Sequence, residues 1–468
     1  MTLFEDFYGN FKPPEVMTFN KEKEITPQVV TTFIQLHQQE LTRYQYLMRI
    51  YKGQMEIFDY SKKEAYKPDN RLAVNFAKFI TDTFTGFFNG IPVKKSHPDK
   101  RINQKITDFD NLNDMEDEES ELAKMACIYG RCYEFVYQNE DAETCVIYNS
   151  PEDLFIVYDD SIKQEPLFAV RYGIDESDNY QLKGQLYSLS GNKELSGSIA
   201  SVRFGEDLQQ FYTELPVTEW FLNEERMSVY ESVVSLMNSF NKVISEKAND
   251  VDYFSDSYLK FVGAELDEED LKTIRDNRII NYFGANADKL DVSFLDKPDS
   301  DSQTENLLDR LQKLIFQTSM VANISDESFG SSSGTALAYK LEAMSNLALA
   351  FQRKFQSSMN KRYKLFFSLG TNVPQSQAPE WKNIEYTFTR NVPRNVKEEA
   401  ETATMLMGVT SEETALSTLS VVSDVKAEID RIKEEKGAPP AFDFEQQPGN
   451  AATVVEEEVF RKPETEEA

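Results

Sequence analysis

The sequence predicts an α+β protein with more than one folding unit, on three observations. Residues 133–213 alternate apolar and polar side chains in short runs: CYEFVYQ, TCVIYN, LFIVYDD, PLFAVRYG, NYQLKGQLYSL and VRFG. Turn signals such as NSPED and LSGNKE part them, as in an antiparallel sheet. Elsewhere, long stretches free of Gly and Pro carry apolar residues at three- and four-residue steps, the period of helices with one buried face. The length, 468 residues, exceeds what one hydrophobic core usually serves.

The first helix is expected in TPQVVTTFIQLHQQELTRYQYLMRIYKG, with Thr26 as cap and Pro27 at the first helical position. Its apolar face is Val30, Phe33, Ile34, Leu41, Tyr44, Leu47 and Ile50. A second helix is expected over 71–93, stopped by Gly86 and Gly90, with Phe76, Phe79, Phe84, Phe87 and Phe88 in the core. Acidic runs at 108–122 and 296–307 lack the glycine and alternating oxygen ligands of a calcium loop, and read as solvated helix starts favoured by the macrodipole. The two helices, the first acidic run and the strands of 133–213 make one mixed α+β domain over about the first 220 residues.

Between Pro216 and Gly263 there is neither Pro nor Gly, and Tyr230, Val233, Met237, Phe240, Ile244, Val251, Phe254 and Tyr258 repeat with helical period. A helix from 224 to 260 would be roughly 50 Å long. SQTENLLDRLQKLIFQTSM (302–320) is a second long helix, and the stretch between them reads as a short helix and two strands. A third runs from Thr335 to Leu369, lined by Leu337, Leu341, Met344, Ala348, Phe351, Phe355, Met359, Tyr363 and Phe366. Its far half carries Arg353, Lys354, Lys361, Arg362 and Lys364, a charge run that reads as a solvated face complementing the helix C-terminus or, in second place, as facing DNA. IEYTFTR (384–390) is a strand candidate returning toward the β domain. Residues 397–436 are helical in two segments broken near Gly408, Val409 and Thr410, and the last thirty or so have the Pro, Glu and Gln content of a disordered acidic end.

Composition narrows the function. A net charge of −30 argues against a protein that grips nucleic acid by neutralising many phosphates, though it permits one that lets nucleic acid pass. Residues 395–468 contribute eighteen acidic against seven basic side chains. Cys127, Cys132 and Cys145 lack paired C-x-x-C spacing, and the only histidines are His37 and His97, so buried free thiols are expected rather than a zinc site. No catalytic set, metal or cofactor is expected. No window reaches the roughly 18 apolar residues that span a bilayer, and the start, MTLFEDFYGNFKPPEV, has no secretory pattern, so a cytoplasmic origin is expected.

The stretch ISDESFGSSSGTALAYKLEAM (324–344) places a Ser/Gly loop at the mouth of the third long helix. A phosphate-cradling reading fails on its central residue, since Gly330 and Gly334 are followed by Thr335 with no Lys. A mobile loop ending in a Ser N-cap remains. Two long helices bearing a small tip module, a loop and a further long helix make poor sense as a compact monomer. Such stripes bury their apolar faces best against neighbouring copies, and head-to-tail packing closes into a ring.

Several stretches, in order, also resemble the phage portal proteins (head-to-tail connectors) of long-tailed phages infecting Gram-positive bacteria. They are LMRIYKG, RLAVNFAKFITDTFTGFFNGIPV, ELAKMACIYGRCYEFVYQNEDAETCVIYNSPEDLFIVYDD, YESVVSLMNSFNKVISEKANDVDYFSDSYL, ISDESFGSSSGTALAYKLEAMSNLALAFQRKFQ and FTRNVPRNVKEEAETATMLMGVTSEETALS, together spanning about residues 25–435. The resemblance implies a portal-type fold: a mixed wing from 1–223 and 321–394, a stem from 224–260 and 301–320, a small αβ clip at 261–300, a helical crown at 395–436 and an acidic tail at 437–468. It implies a ring of about twelve copies around a central channel, set at one capsid vertex. Double-stranded DNA passes non-specifically through it in packaging and ejection. The implied partners are the terminase large subunit, major capsid and scaffolding proteins and a head-completion adaptor, with no membrane. The location is the virion, and host cytoplasm during assembly.

The tunnel loop would be about 321–333, with Asn323, Ser325, Asp326, Glu327, Ser328, Phe329, Gly330 and Ser331 as its DNA-facing candidates. Lys242, Lys247, Arg310 and Lys313 are the stem candidates for channel or subunit contacts, and Arg353, Lys354 and Lys361 mark the basic face of the wing helix. The alternatives are a cytoplasmic helical scaffold or adaptor and, behind it, a carboxylate-based hydrolase.

Overall fold

The computed structural model describes residues 16–437 except 65–66, 176, 178–180, 213, 256–258, 263–290, 295–300, 326–333, 393–395, 420 and 423–424. The fold is α+β, and the chain divides into two compact units, 1–392 and 393–468.

Helix α1 (Pro27–Tyr51) opens as expected, with the Thr26 hydroxyl accepting the Val29 N–H at 3.3 Å and Pro27 in the first turn. Helix α2 (Phe76–Asn89) is shorter than 71–93. Asn75 caps it, Gly86 lies inside it and Gly90 ends it. Residues 71–75 stay outside any helix or strand because side chains of a later helix take their backbone N–H groups. Phe76, Phe84, Phe87 and Phe88 are buried, and Phe79 is half-buried against Phe316.

Strand β1 (Thr18–Phe19) and β2 (Lys94–Ser96) bracket these helices; α3 (Lys100–Leu112) and α4 (Met115–Tyr129) follow. The acidic run 108–122 places Glu116, Asp117 and Glu118 in the first turn of α4 as expected. Glu119 corrects the rest of that reading, being buried among cations rather than solvated.

The single sheet expected over 133–213 is two sheets. One is β10-β3-β4, from β3 (Arg131–Gln138), β4 (Thr144–Asn149) and β10 (Val217–Phe221). The other is β1-β5-β6-β7-β8-β9, from β5 (Leu154–Asp159), β6 (Pro166–Asp175), β7 (Gln181–Ser188), β8 (Asn192–Ser198) and β9 (Ser201–Leu208), with β1 parallel to β5. Strand β8 lies partly in LSGNKE, read as a turn. It is polar, its register shifts between Lys193 and Leu195, and few of its side chains face the core, so it lacks the alternating signal. Strand β10 escaped for another reason: it has only five residues, and Thr218 and Glu219 are buried beside Val217 and Trp220, so no apolar/polar alternation shows.

Alternation along a strand turns neighbours to opposite faces. Cys132, Glu134, Thr218 and Trp220 therefore face one way, toward α4 and the long helix α7 (Gly334–Ser368). Tyr133, Val217 and Glu219 face the other, against Leu154, Ile156, Tyr158 and Ala169 of the six-stranded sheet. The far side of that sheet, Phe155, Val157, Phe168 and Val170, is covered by Val30, Phe33 and Ile34 of α1.

Helix α5 (Val234–Ser255) starts later than the expected 224. Residues 222–230 are irregular and a 3-10 turn occupies Glu231–Val233, because the Glu231 carboxylate takes the Ser228 N–H at 2.9 Å and so holds a turn closed. Helix α6 (Asp301–Ser319) runs antiparallel to α5: Phe240 and Phe316 both meet the Phe76 ring, and Lys247 pairs with Glu305 toward the other end. Beyond them β11 (Leu259–Val262) pairs antiparallel with β12 (Asp291–Phe294). The expected short helix between them lies outside the described residues.

Helix α7 agrees with the 335–369 expectation to one residue at each end. Leu341, Met344, Ala348, Phe351, Phe355, Met359, Tyr363 and Phe366 are buried; the Leu337 side chain lies outside the described residues. Strand β13 (Glu385–Thr387), shorter than 384–390, pairs with β2. In the second unit the two expected segments are three: α8 (Val396–Leu406), α9 (Glu412–Leu416) and α10 (Val425–Gly437). Gly408, at φ 84°, makes the expected break. The second break follows Leu416, where the Ser417 and Thr418 hydroxyls donate to the carbonyls of Thr414 and Ala415 at 2.7 Å and compete with helix continuation.

Cys127 and Cys132 are buried free thiols, and Cys145 is half-buried and free. Among the described residues no group of His, Cys, Asp and Glu could hold a metal ion, and no helix is long and apolar enough to cross a membrane.

Candidate functional site

The segment that enters the Ser/Gly loop leaves α6 through Met320, which is left-handed at φ 60°, and through buried Val321. Asn323 is half-buried, Ser325 is exposed and donates its N–H to Asn323 Oδ1 at 3.3 Å, and Ile324 is exposed. Asp326, Glu327, Ser328, Phe329, Gly330 and Ser331 lie outside the described residues. On the antiparallel pair, Lys242, Arg310 and Lys313 are exposed, whereas Lys247 is stitched between the helices by Glu305.

The basic half of α7 is not one face. Arg353 and Lys361 are exposed; Lys354 pairs with Glu224 and sits 5.3 Å over the Phe221 ring; Lys364 pairs with Glu214 at 2.5 Å. Arg362 contradicts both readings of the run, since it is fully buried. Its Nε donates to Glu134 at 2.8 and 3.0 Å, Nη2 to Glu134 at 2.5 Å and Nη1 to Glu119 at 2.5 Å, with the guanidinium 4.6 Å over the Trp220 ring. Lys95, a half-buried residue whose side chain is only 6% exposed, holds Glu119 at 3.0 Å and Asp110 at 3.1 Å, and Tyr363 donates to Asp110 at 2.7 Å. One lattice thus ties the foot of α7 to β3, α4, β2 and α3. Sequence reasoning missed it. The available signal was helical phase: Arg362 falls on the stripe of Phe355, Met359 and Phe366, and Glu134 shares its strand face with Cys132 and Val136.

A second lattice lies on the opposite face of the same strands. Glu219 accepts from Tyr158 at 2.6 Å and Arg226 at 3.1 Å and lies 3.7 Å from Arg131, which reaches Glu40 at 2.6 Å. Arg43 pairs with Glu231 at 2.6 Å and donates to the carbonyl of Arg226 at 2.9 Å. These contacts seat the turn from which α5 rises. The two buried carboxylates are pushed in opposite directions. For Glu134 burial outweighs the attraction of Arg362 and raises its pKa. For Glu219, burial opposes but Arg226 and Arg131 together hold the carboxyl below its usual range.

Two groups make stability depend on pH. Burial lowers the His37 pKa to about 4. Its Nε2–H donates to the Pro151 carbonyl at 2.7 Å, so Nδ1 accepts from the Tyr172 hydroxyl at 2.7 Å. Burial, then the Glu134 charge, raises Glu118 to about 7. Between pH 6.5 and 4 the unfolded chain binds more protons at His37, so that contribution is lost as pH falls. Between 4.5 and 7 the folded chain binds more at Glu118, so that one is lost as pH rises. Glu118→Gln is therefore expected to raise the urea midpoint at pH 8, to match the parent at pH 4.5 and to steepen the decline from pH 6.5 to 4.5. Equal midpoints at pH 8 would refute the assignment.

The long helices α5 and α7 are rooted in buried ion lattices. The family model described as "Phage portal protein, SPP1 Gp6-like" matches residues 31–438. The portal protein of Clostridium phage phiCD119 is 24% identical over 395 residues, covering 79% of this chain and 85% of that protein. The portal protein of Bacillus phage SPP1 is 23% identical over 403 residues, covering 79% and 76%.

Proposed function

Because the chain belongs to the SPP1 Gp6-like family of phage portal proteins, a structural and non-enzymatic component of the virion, we propose that its copies form the channel at one capsid vertex for double-stranded DNA. DNA enters through it during packaging and leaves through it at ejection. The observation that carries this reading is the extent of the family match, which includes the antiparallel pair, the loop and α7 in one span. In this reading residues 1–223 and 321–394 are wing, 224–260 and 301–320 stem, 261–300 clip and 395–436 crown. The ring holds about twelve copies, docks the terminase large subunit during packaging in the host cytoplasm and later binds head-completion proteins. Capsid and scaffolding proteins surround it.

The acidic balance suits a wall past which DNA slides. Each phosphate-gripping cation adds affinity that a moving duplex must break again. The net charge of −30 and the pair Asp326 and Glu327 at the loop work the other way. Rings carrying Asp326→Lys and Glu327→Lys are expected to trap partly packaged duplex, with retention that weakens as salt rises. Packaging rate and retained DNA length measured across salt concentrations check this, and unchanged packaging would contradict the lubricating role.

A further inference from the structure

Residues 69–75 run alongside α5 outside any helix or strand, and the backbone N–H groups of Asn70, Leu72 and Val74 bond to its side chains. Asn241 Oδ1 accepts the Val74 N–H at 2.8 Å, the Ser245 hydroxyl accepts the Leu72 N–H at 2.9 Å while its one proton is shared between the carbonyls of Asn241 at 2.7 Å and Leu72 at 3.1 Å, and Asn249 Oδ1 accepts the Asn70 N–H at 2.6 Å. The spacing is matched. Four helical residues rise about 6 Å and two extended residues span about 6.6 Å, so Asn241, Ser245 and Asn249 form one stripe that meets every second backbone N–H. The Asn70 side chain reaches Asp252, and Lys63 pairs with Glu246 at 2.7 Å, fixing the register. Pro68, with no N–H to give, prevents a two-residue slide in one direction.

The two flanks of α5 are held by different forces. Val234, Met237 and Phe240 root it in the apolar core. On leaving, the strap would uncover Ala73, which packs against the core, and the covered parts of Leu72 and Val74, which already stand 43% and 37% exposed; the fully buried side chains that root α5 would uncover more. Its hydrogen bonds can be exchanged for bonds to water, whereas core contacts cannot.

We propose that residues 69–75 are a detachable brace on the stem helix, and that α5 changes its angle by unzipping this ladder while its core contacts stay intact. The proposal rests on the channel reading: a duplex whose symmetry differs from the ring's makes each stem shift in turn, and the brace is where that shift is least opposed. Asn241, Ser245 and Asn249 are then positioning residues for the channel wall.

Two measurements test it. In unmodified rings, the amides of Asn70, Leu72 and Val74 should exchange with solvent through a local opening, at least about tenfold faster than buried core amides of α5. Exchange of the strap amides only through global unfolding would overturn the brace. In rings with Cys145→Ser, Asn70→Cys and Asp252→Cys, a bis-maleimide with a reducible spacer bridges strap to helix. Bridged rings are expected to package DNA at less than about a tenth of the rate of the same rings after reduction. Equal rates before and after reduction would overturn the proposal. If unmodified rings package nothing, the channel reading fails instead, and the exchange data still judge the brace.

Discussion

Replacing Arg362 by methionine is expected to lower the unfolding free energy by about 3–5 kcal/mol, the range for removing one partner of a buried ion pair. Glu134 is fully buried and Glu119 is 1% exposed, and both accept hydrogen bonds from Arg362. Without the guanidinium, Glu134 loses its direct cation, while Glu119 keeps Lys95. The prediction therefore has a second part. Adding Glu134→Gln removes the stranded charge and should restore part of the loss, whereas adding Glu119→Gln also strips a partner from Lys95 and should restore less. Urea unfolding of the three variants at one pH checks the ordering. The foot of α7 is held by this pair, so ring yield should fall with stability. A loss below about 1 kcal/mol would mean that the apolar stripe alone seats the helix.

Gly130→Ala is expected to be more disruptive than its size suggests. Gly130 is left-handed at φ 87°, which costs an Ala about 1–2 kcal/mol. Its Cβ would also lie 1.9 Å from the carbonyl oxygen of Arg226, in a backbone segment that Arg43 and Glu231 hold closed and that leads into α5. Accommodating it means moving the root of α5. Gly53→Ala is the control. Gly53 has φ 82°, but an added Cβ meets no backbone atom, only Asn75 Nδ2 at 3.2 Å, a contact relieved by a shift of a few tenths of an ångström. Gly53→Ala should show the conformational cost alone, with rings forming normally, and Gly130→Ala a larger loss of melting temperature together with loss of rings. Equal behaviour of the two would show that the approach of Gly130 to Arg226 is not structurally required.

Much of the fold was legible because periodicity reports which side of an element faces in. Helix α7 could be bounded to one residue because its stripe is unbroken over the whole helix, and the Thr26 cap and the Gly408 break are local chemistry that needs no tertiary context. Periodicity does not report what waits on the other side. Arg362 stood in a run of cations and looked solvated, although its phase placed it among Phe355, Met359 and Phe366. Residues 71–75 carried helical spacing yet stay outside any helix, because Asn241 and Ser245, far ahead in sequence, take their N–H groups. Strand β8 has too few inward apolar residues to register, and β10 is short and buries polar side chains on both faces, so it shows no alternation. Of the four cations expected as channel or subunit contacts, Lys242, Arg310 and Lys313 are exposed, and Lys247 pairs with Glu305 from another helix, a partner that its own sequence neighbours do not reveal.

The central claim is that copies of this chain close around an open channel. Class averages of the purified protein in the electron microscope, viewed along the symmetry axis, test it most directly. The account predicts closed rings of about twelve copies with a stain-filled central hole. Solid globules or rods of a single 53.9 kDa chain at high protein concentration would contradict it.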